Sequence, residues 1–259
     1  MKRFALTLVL LLVLSPLAVL AQNVVAQDSF SNMGGWQAGH GEWFIENGRL
    51  VQADTDTGLA RIDRRLPQNG TYQIDFIIRY RDGGYQSQAD LENLRLHGGF
   101  GVHVGVENPP LGRVAWGAGE SYLLWLNLDT RAETRRNDPE HYGFRAQVYE
   151  STDNATMALW ETSFARRYFG DSRMSIDLVE ALENYGVDVT LQDGQKYLVR
   201  DIPVSIRVNT ETGRIGVKDP TAPIRFYFNV DPDVLDGNYI SLRTNELGVE
   251  FDNFVVTRR

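Results

Sequence analysis

The segment Thr71–Arg81 constrains the fold more than any other part of the chain, because its side chains alternate between apolar and polar. Every second residue from Tyr72 to Tyr80 is large and apolar or aromatic, and most residues between them are polar or charged. A period of two places the two sets on opposite faces of a strand. The segment therefore predicts a long strand, half-buried in an antiparallel sheet. Shorter runs of the same kind recur along the chain and predict about a dozen strands.

Turn signals separate these runs. Asn47-Gly48 lies between two β-rich segments and is typical of a two-residue hairpin. Near the end of the chain, Gly237–Asn245 and Gly248–Val256 flank a turn of the kind that joins neighbouring strands. Segment 131–141 is predicted to be a charged loop, and segment 173–184 has the spacing of a helix. With no linker rich in Pro, Gly or Ser, the sequence predicts one all-β, two-sheet antiparallel β-sandwich with one short helical insertion.

The chain begins with the features of a secretory signal peptide. Two basic residues stand in the first three positions, an almost wholly apolar run covers 4–20, and small residues follow. Cleavage is predicted after Ala21 or after Ala26. The alternative is a membrane anchor, but the apolar run of about 17 residues is at the lower limit for a spanning helix, and Pro16 lies inside it.

The chain is thus predicted to consist of a signal peptide, 1–26, and one exported domain, 27–259, that is periplasmic or extracellular. No later segment is apolar enough to insert in a membrane after cleavage. Loss of the two basic residues takes the formal charge from −8 to −10, and an acidic chain without a basic stripe argues against nucleic acid as a partner. With no cysteine in the chain, thiol nucleophiles and thiolate metal sites are excluded.

Four segments carry a resemblance to a known superfamily. Asp28–Trp36 opens the domain, Gly41–Leu50 is a Gly-x-Trp hairpin, Val204–Ile215 is a late hairpin, and Gly248–Val256 is the closing strand. Together they resemble the concanavalin A-like lectin and glucanase superfamily, in its laminin G-like and carbohydrate-binding forms. The resemblance covers both ends of the domain well and residues 82–200 poorly. It implies a jelly roll in which the first and last strands lie side by side.

The resemblance also implies a structural calcium ion, which many members of the superfamily hold beside those two strands. Carried over by position, Asp28 and Asp252 are the implied ligands, and hard carboxylate oxygens are what calcium requires. The alternative is that Asp252 and Asn253 form a β-bulge and bond nearby backbone N–H groups. Calcium is the one cofactor that the resemblance implies.

Catalytic residues are not predicted. Hydrolases of the superfamily carry three alternating carboxylates on one strand, and the nearest match here, Glu250-Phe251-Asp252, lacks the third. A pair assembled from separate strands, such as Asp75 with Glu150, stays open. The four histidines show no metal-binding spacing, and no Gly-x-Ser-x-Gly elbow is present. A diverged glycoside hydrolase is therefore the one enzymatic alternative.

Sugar recognition on a sheet uses an aromatic platform with a few directional polar groups. Trp116 lies in a loop-like segment among small residues, and Trp125 belongs to a strand where a place in the core is the alternative. The predicted ligand-binding residues are Trp116, Tyr122, Trp125, His103, Arg95 and Asn127. We therefore predict an exported, non-catalytic module that binds a glycan or polysaccharide. The alternative to sugar binding is a cell-envelope structural or assembly protein with a protein partner.

Overall fold

The computed structural model describes residues 23–84, 87, 89, 97–109, 119–129, 131–137, 143–153, 156–160, 201–218 and 225–259. In chain order its strands are β1 Asn23–Asp28, β2 Trp36–His40, β3 Trp43–Glu46, β4 Arg49–Gln52, β5 Ala60–Arg65, β6 Thr71–Gly83, β7 His97–Val106, β8 Ser121–Asp129, β9 Gly143–Ser151, β10 Met157–Leu159, β11 Ile202–Asn209, β12 Arg214–Lys218, β13 Arg225–Asn229, β14 Tyr239–Asn245 and β15 Leu247–Arg258. The helical elements with described bounds are α1, Ala132–Asn137, and a 3-10 turn, Pro232–Val234.

These strands form two antiparallel sheets that pack face to face as a jelly-roll sandwich. The eight-stranded sheet has the order β13-β12-β11-β6-β15-β4-β3, and β1 also pairs with β15. The seven-stranded sheet has the order β10-β9-β8-β7-β14-β5-β2. The predicted fold class is confirmed. The predicted helical insertion at 173–184 lies outside the described residues.

Strand β15 organises the eight-stranded sheet, because it pairs along one whole edge with β6 and divides its other edge between two partners. Val249–Phe251 pair with β4, whereas Phe254–Arg258 pair with β1. The first and last strands therefore lie side by side, as the resemblance implied. The half-buried strand predicted from Thr71–Arg81 is β6, at the centre of this sheet.

A β-bulge in β15 lets two phenylalanines three positions apart both face the core. Asn253 has a φ of 50° and the register with β6 shifts between Asp252 and Val255. Phe251 then packs 5.8 Å from Phe76 in ring-centroid distance, and Phe254 is fully buried on the same side. The backbone N–H of Asn253 donates to Asp252 Oδ1 at 2.7 Å, so a bulge and a local cap are both present at these two residues.

Two local predictions were wrong. The runs before and after Glu246 are not neighbouring strands: β14 pairs with β5 and β7, and β15 belongs to the other sheet. Each run buries its own apolar face against the core from its own side, so the short turn crosses between sheets instead of closing a hairpin. The charged segment after Arg131 contains helix α1, whose Thr134 Oγ1 donates to Asp129 at 2.8 Å.

Asp28 joins the two sheets at one end of the sandwich. Its carboxylate accepts hydrogen bonds from Trp36 Nε1 at 3.0 Å, Arg64 Nη1 at 2.8 Å and the backbone N–H of Phe30 at 2.8 Å. The Arg64 guanidinium also lies 5.4 Å from the ring of Trp36 and 6.0 Å from that of Phe254. Asp28 and Arg64 are mostly buried, so one carboxylate satisfies three donors that water reaches poorly.

We expect Asp28→Asn to lower the free energy of unfolding by about 2–4 kcal/mol, because an amide NH2 would face at least one N–H donor in either orientation and Arg64 would lose its counter-charge. Urea unfolding measures the change. Asp236→Asn, at an exposed position, is the matched control and should alter stability by less than about 0.5 kcal/mol. Equal stability of the two variants would contradict the role given to Asp28.

Candidate functional site

The outer side of the seven-stranded sheet, which we call the polar face, carries charged and hydrogen-bonding side chains at its centre. Alternation along each strand turns one set inward: Ile62 and Leu242 belong to the core, whereas Arg61 and Arg243 point outward. The pairing of β5, β14 and β7 then aligns the outward positions in rows. One row joins Asp63, Ser241, His103 and Leu123, and the next joins Arg61, Arg243, Gly101 and Trp125.

Hydrogen bonds connect these side chains across four strands. Arg61 Nε donates to Asp63 at 3.0 Å, and Ser241 Oγ donates to the same carboxylate at 2.7 Å. On the adjoining strand, Arg243 Nη2 lies 3.0 Å from His103 Nδ1. The network is buried, with Arg243 and His103 fully so. Burying two guanidinium groups on one sheet surface is costly unless they are paired, and the ion pair of Arg61 with Asp63 offsets part of that cost.

The hydrogen bonds fix the state of His103. Arginine only donates, so Nδ1 must be the acceptor, and the proton lies on Nε2, which is 2.7 Å from Ser121 Oγ. Burial, followed by the charges of Arg243 and Arg61, holds the pKa of His103 well below its usual value. Burial, and then Arg61, likewise lowers the pKa of Arg243 to about 9, and Asp63 opposes the shift. At neutral pH the network combines a neutral imidazole with charged guanidiniums.

Trp125 lies flat on the polar face because two glycines face it on β7. A Cβ at Gly99 would be 2.4 Å from atoms of the indole, and a Cβ at Gly101 would be 2.9 Å from it. Leu123 packs beside Trp125, and Tyr149 packs against the pair. The indole is 7% exposed. A flat aromatic ring beside a row of polar groups is the arrangement that sugar recognition uses.

The structure brings three of the predicted ligand-binding residues together. His103, Trp125 and Asn127 all lie on the polar face, on the adjoining strands β7 and β8. Tyr122 is on the opposite side of β8, fully buried in the core, where its ring meets that of Trp160 edge-on at 5.5 Å. Its hydroxyl donates to Glu150 and accepts from the backbone N–H of Asp231, which places it away from the polar face. Trp116 and Arg95 lie outside the described residues.

Sequence reasoning missed the charged part of the polar face. Arg61-Ile62-Asp63 and Ser241-Leu242-Arg243 each alternate polar and apolar residues, and this pattern was the available signal. Charged residues at the middle of a strand that lies inside a sheet are unusual. What the pattern lacks is the information that β5 and β14 are neighbours, which places Asp63 beside Ser241 and Arg61 beside Arg243.

The pair considered from separate strands, Asp75 with Glu150, is not assembled, whereas Glu250 and Asp252 lie together on the outer side of the eight-stranded sheet, where both contact Arg49. Asp75 lies on β6 and Glu150 on β9, in different sheets. Within the polar face, Asp63 is in the row of Leu123, six residues from Asp129 along β8, or about 20 Å. A glycosidase needs its two carboxyl groups within about 5–10 Å.

The residues implied as calcium ligands have other partners. Asp28 is engaged by Arg64 and Trp36, and Asp252 lies 3.4 Å from Arg49 Nη2 on the outer side of the other sheet. Hydrogen-bond donors and guanidinium cations thus occupy the oxygens that a calcium ion would need. In the described part of the chain, no group of three His, Asp or Glu side chains is placed to hold a metal. The calcium ion stays a prediction, and the arrangement of these carboxylates does not fit it.

No family model matches the chain, and no curated protein matches it. Among solved structures, carbohydrate-binding module CBM66 from Bacillus subtilis is similar at 10% identity and a TM-score of 0.47, over 86% of this chain and 96% of that one. The carbohydrate recognition domain of Emp47p is 12% identical, with a TM-score of 0.44 over 91% and 97% of the two chains. A Bacillus subtilis protein of unknown function with a galectin-like fold is 12% identical, with a TM-score of 0.46 over 92% and 98%. Such values are too low to transfer a function.

Membrane-spanning helices are not found in the described ranges, since none of their helices is both long and apolar enough to cross a bilayer.

The neutral state of His103 predicts a pH-dependent stability. Because its folded pKa lies below the unfolded value of about 6.5, the unfolded chain binds a proton that the folded chain does not. Above pH 6.5, His103 therefore costs no stability. As the pH falls below 6.5, the free energy of unfolding drops by about 1.4 kcal/mol for each pH unit. His103→Gln keeps an acceptor and a donor but does not titrate. Urea unfolding from pH 8 to 5 should show a shallower decline for the variant, and parallel curves would contradict the assignment.

The calcium prediction has a direct test. Since Arg64 and Arg49 already neutralise the two carboxylates, we expect a chelator to leave the Tm of the protein unchanged. Calorimetry with calcium and then with EDTA measures this. A Tm that falls on chelation, and no longer does so in Asp28→Asn or Asp252→Asn, would instead support the calcium site.

Proposed function

We propose that the protein is an exported, non-catalytic module that binds a carbohydrate on its polar face. The observation that carries the proposal is the combination of the flat Trp125 with the adjoining polar side chains of Arg61, Asp63, Arg243 and His103. The indole offers an apolar surface to the C–H face of a sugar ring. These polar side chains offer both donors and acceptors to the hydroxyls of the sugar, because Asp63 accepts and the guanidiniums donate.

The energetic cost of the network supports a functional role. Two arginines directly opposite each other on β5 and β14 repel, and their burial lowers the pKa of Arg243. Hydrophobic side chains at the same positions would give a more stable sheet. Strongly perturbed ionisable groups concentrate at functional sites because their interactions serve ligands instead of the fold.

Binding requires that the polar face open. Trp125 is 7% exposed and Arg243 is fully buried, so a sugar reaches them only when the face becomes accessible. A protein whose binding-competent state is a minor one binds more slowly and more weakly than its contacts alone would allow. Association should therefore be slower than for a preformed groove.

The two other functions receive less support. An assembly protein would be expected to expose an apolar patch, and in the described part of the surface the large exposed apolar side chains are Val24, Val25 and Leu159, on β1 and β10. A glycosidase would need a free carboxylate pair, but Asp75 and Glu150 lie in different sheets, and Glu250 and Asp252 are both engaged by Arg49. Export is supported by the signal-peptide pattern at the start of the chain.

Isothermal titration calorimetry against neutral hexose oligosaccharides tests the proposal. We expect Trp125→Ala to weaken binding about tenfold or more, which corresponds to about 1.4 kcal/mol, because a stacked aromatic anchor is lost. Trp125→Phe should retain part of the affinity. Far-ultraviolet circular dichroism and a Tm check that both variants fold.

Tyr227→Ala is the matched control, because it removes an aromatic ring from the outer side of the other sheet. It should leave affinity for the neutral oligosaccharides unchanged. If Trp125→Ala and Tyr227→Ala bind as tightly as the parent protein, or if no oligosaccharide binds, the polar face is not a sugar site. Turnover of an oligosaccharide would favour the glycosidase instead.

A further inference from the structure

The outer side of the eight-stranded sheet has two halves, and the cations of one half form ion pairs with described carboxylates whereas those of the other half do not. Toward β3 and β4, arginine and carboxylate side chains form a charged network in which every arginine has an acidic partner within 4 Å; its members are Glu46, Arg49, Arg79, Arg81, Asp201, Glu250 and Asp252. Toward β11, β12 and β13 the same surface carries cations that form no ion pair with a described carboxylate: Arg207, Lys218, Arg225 and Arg259.

Two of these cations, Lys218 and Arg225, line a cleft of about 370 Å³ between β6, β11, β12 and β13. Its volume is at the small end of the range of about 300–1,000 Å³ for small-ligand sites. Lys218 and Arg225 line one end, and they are paired across β12 and β13. Ile77 and Pro203, paired across β6 and β11, give the other end an apolar strip. Charged and apolar ends thus lie within one small cleft.

Neutral hydrogen-bond acceptors hold the cationic groups in place, and the charge of Asp75 opposes the lowering of the Arg225 pKa without forming an ion pair with it. Arg225 donates to Ser205 Oγ at 3.0 Å and to the carbonyl oxygens of Ser205 and Gly216. Burial, and then the charge of Arg207, lowers the pKa of Arg225. Arg207 Nη2 donates to Gln73 at 3.2 Å, whereas its Nε is buried without a hydrogen-bond partner. Because this buried N–H donor has no partner among the described residues, it would favour the binding of a ligand that brings a hydrogen-bond acceptor.

The acidic group of the cleft is available to a neutral donor. Asp75 accepts two hydrogen bonds from the side-chain amide of Gln73, at 2.9 and 2.8 Å. Asp75 forms no ion pair with Lys218 or with Arg225, although all three side chains line the cleft. A ligand that brings both hydroxyl groups and an anionic group would satisfy Asp75 and the cations together.

We propose that this cleft binds a hexuronic acid unit of an acidic saccharide. The ring would lie on Ile77 and Pro203, its hydroxyls would meet Asp75, and its carboxylate would meet Lys218 and Arg225. A chain that carries phosphate or sulfate groups but has no sugar ring would gain no packing contact with the apolar strip. The formal charge of the whole chain is −8, so a local cluster of cations selects an anion here by position instead of by overall attraction. The site lies on the other sheet from the polar face and does not depend on the function proposed there.

Titration calorimetry with digalacturonic acid, at low and at high salt, tests this site, and its methyl ester supplies a neutral partner of nearly the same shape. We expect the acid to bind at least about fivefold more tightly than the ester, and this difference to shrink as salt screens the charges. Lys218→Gln, at an exposed position, should weaken binding of the acid about fivefold and leave the Tm unchanged. Arg225→Gln should weaken it further, with a Tm to check folding.

Arg136→Gln, which removes one exposed cation from helix α1, is the matched control and should bind digalacturonic acid normally. Trp125→Ala should also bind it normally, so failure of the polar face and failure of the cleft are distinguishable. Equal affinity for acid and ester, or unchanged affinity in Lys218→Gln, would overturn the proposal. Binding of succinate as tight as that of digalacturonic acid would show a carboxylate site without sugar recognition, and would overturn it too.

Discussion

The bulge at Asn253 is the constraint on which the eight-stranded sheet depends. Without the extra residue, a period of two would turn either Phe251 or Phe254 away from the core. With it, Phe251 packs near Phe76 and Phe254 packs edge-on against Trp36 at 5.1 Å. The same irregularity marks the point where β15 changes its edge partner from β4 to β1. Two packing sites and two strand pairings thus meet at one distorted residue, and its backbone N–H is satisfied by the neighbouring Asp252.

The bulge also divides the outer surface of that sheet. Glu250 and Asp252, before it, point toward Arg49 and complete the charged network. Asn253, at the bulge, lines the cleft that begins on the other side. Carboxylates therefore neutralise the arginines on one side of the bulge, and the polar side chain on the other side is a neutral amide. The bulged strand thus contributes to the contrast in ion pairing between the two halves, and Glu46 and Asp201, on other segments, supply the remaining carboxylates of the network.

Much of this fold follows from local patterns, and the rest depends on contacts between distant segments. Alternation alone identifies β6, and Asn47-Gly48 identifies the β3–β4 hairpin, in which both residues have the positive φ that the turn demands. The crossing at Glu246 could not be read, because a short turn between two alternating runs looks the same whether it closes a hairpin or joins two sheets. Half of the predicted ligand-binding residues lie on the polar face. Its charged row was hidden because Arg61 and Arg243 become neighbours only through the pairing of β5 with β14.

The two proposed sites would recognise different chemistry because their charged side chains are paired differently. On the polar face Asp63 offsets Arg61, and His103 is held neutral by its burial and then by the charge of Arg243, which donates to it. This network keeps one positive charge, on Arg243, and its side chains offer directional hydrogen bonds, which suit hydroxyl groups. In the cleft, Asp75 is bound by an amide and the cations have no ion-pair partner among the described carboxylates, so the field itself attracts an anion. The packed core separates the two surfaces and no side chain belongs to both. A ligand on one sheet therefore has no direct contact through which to alter the other, and the two affinities should be independent.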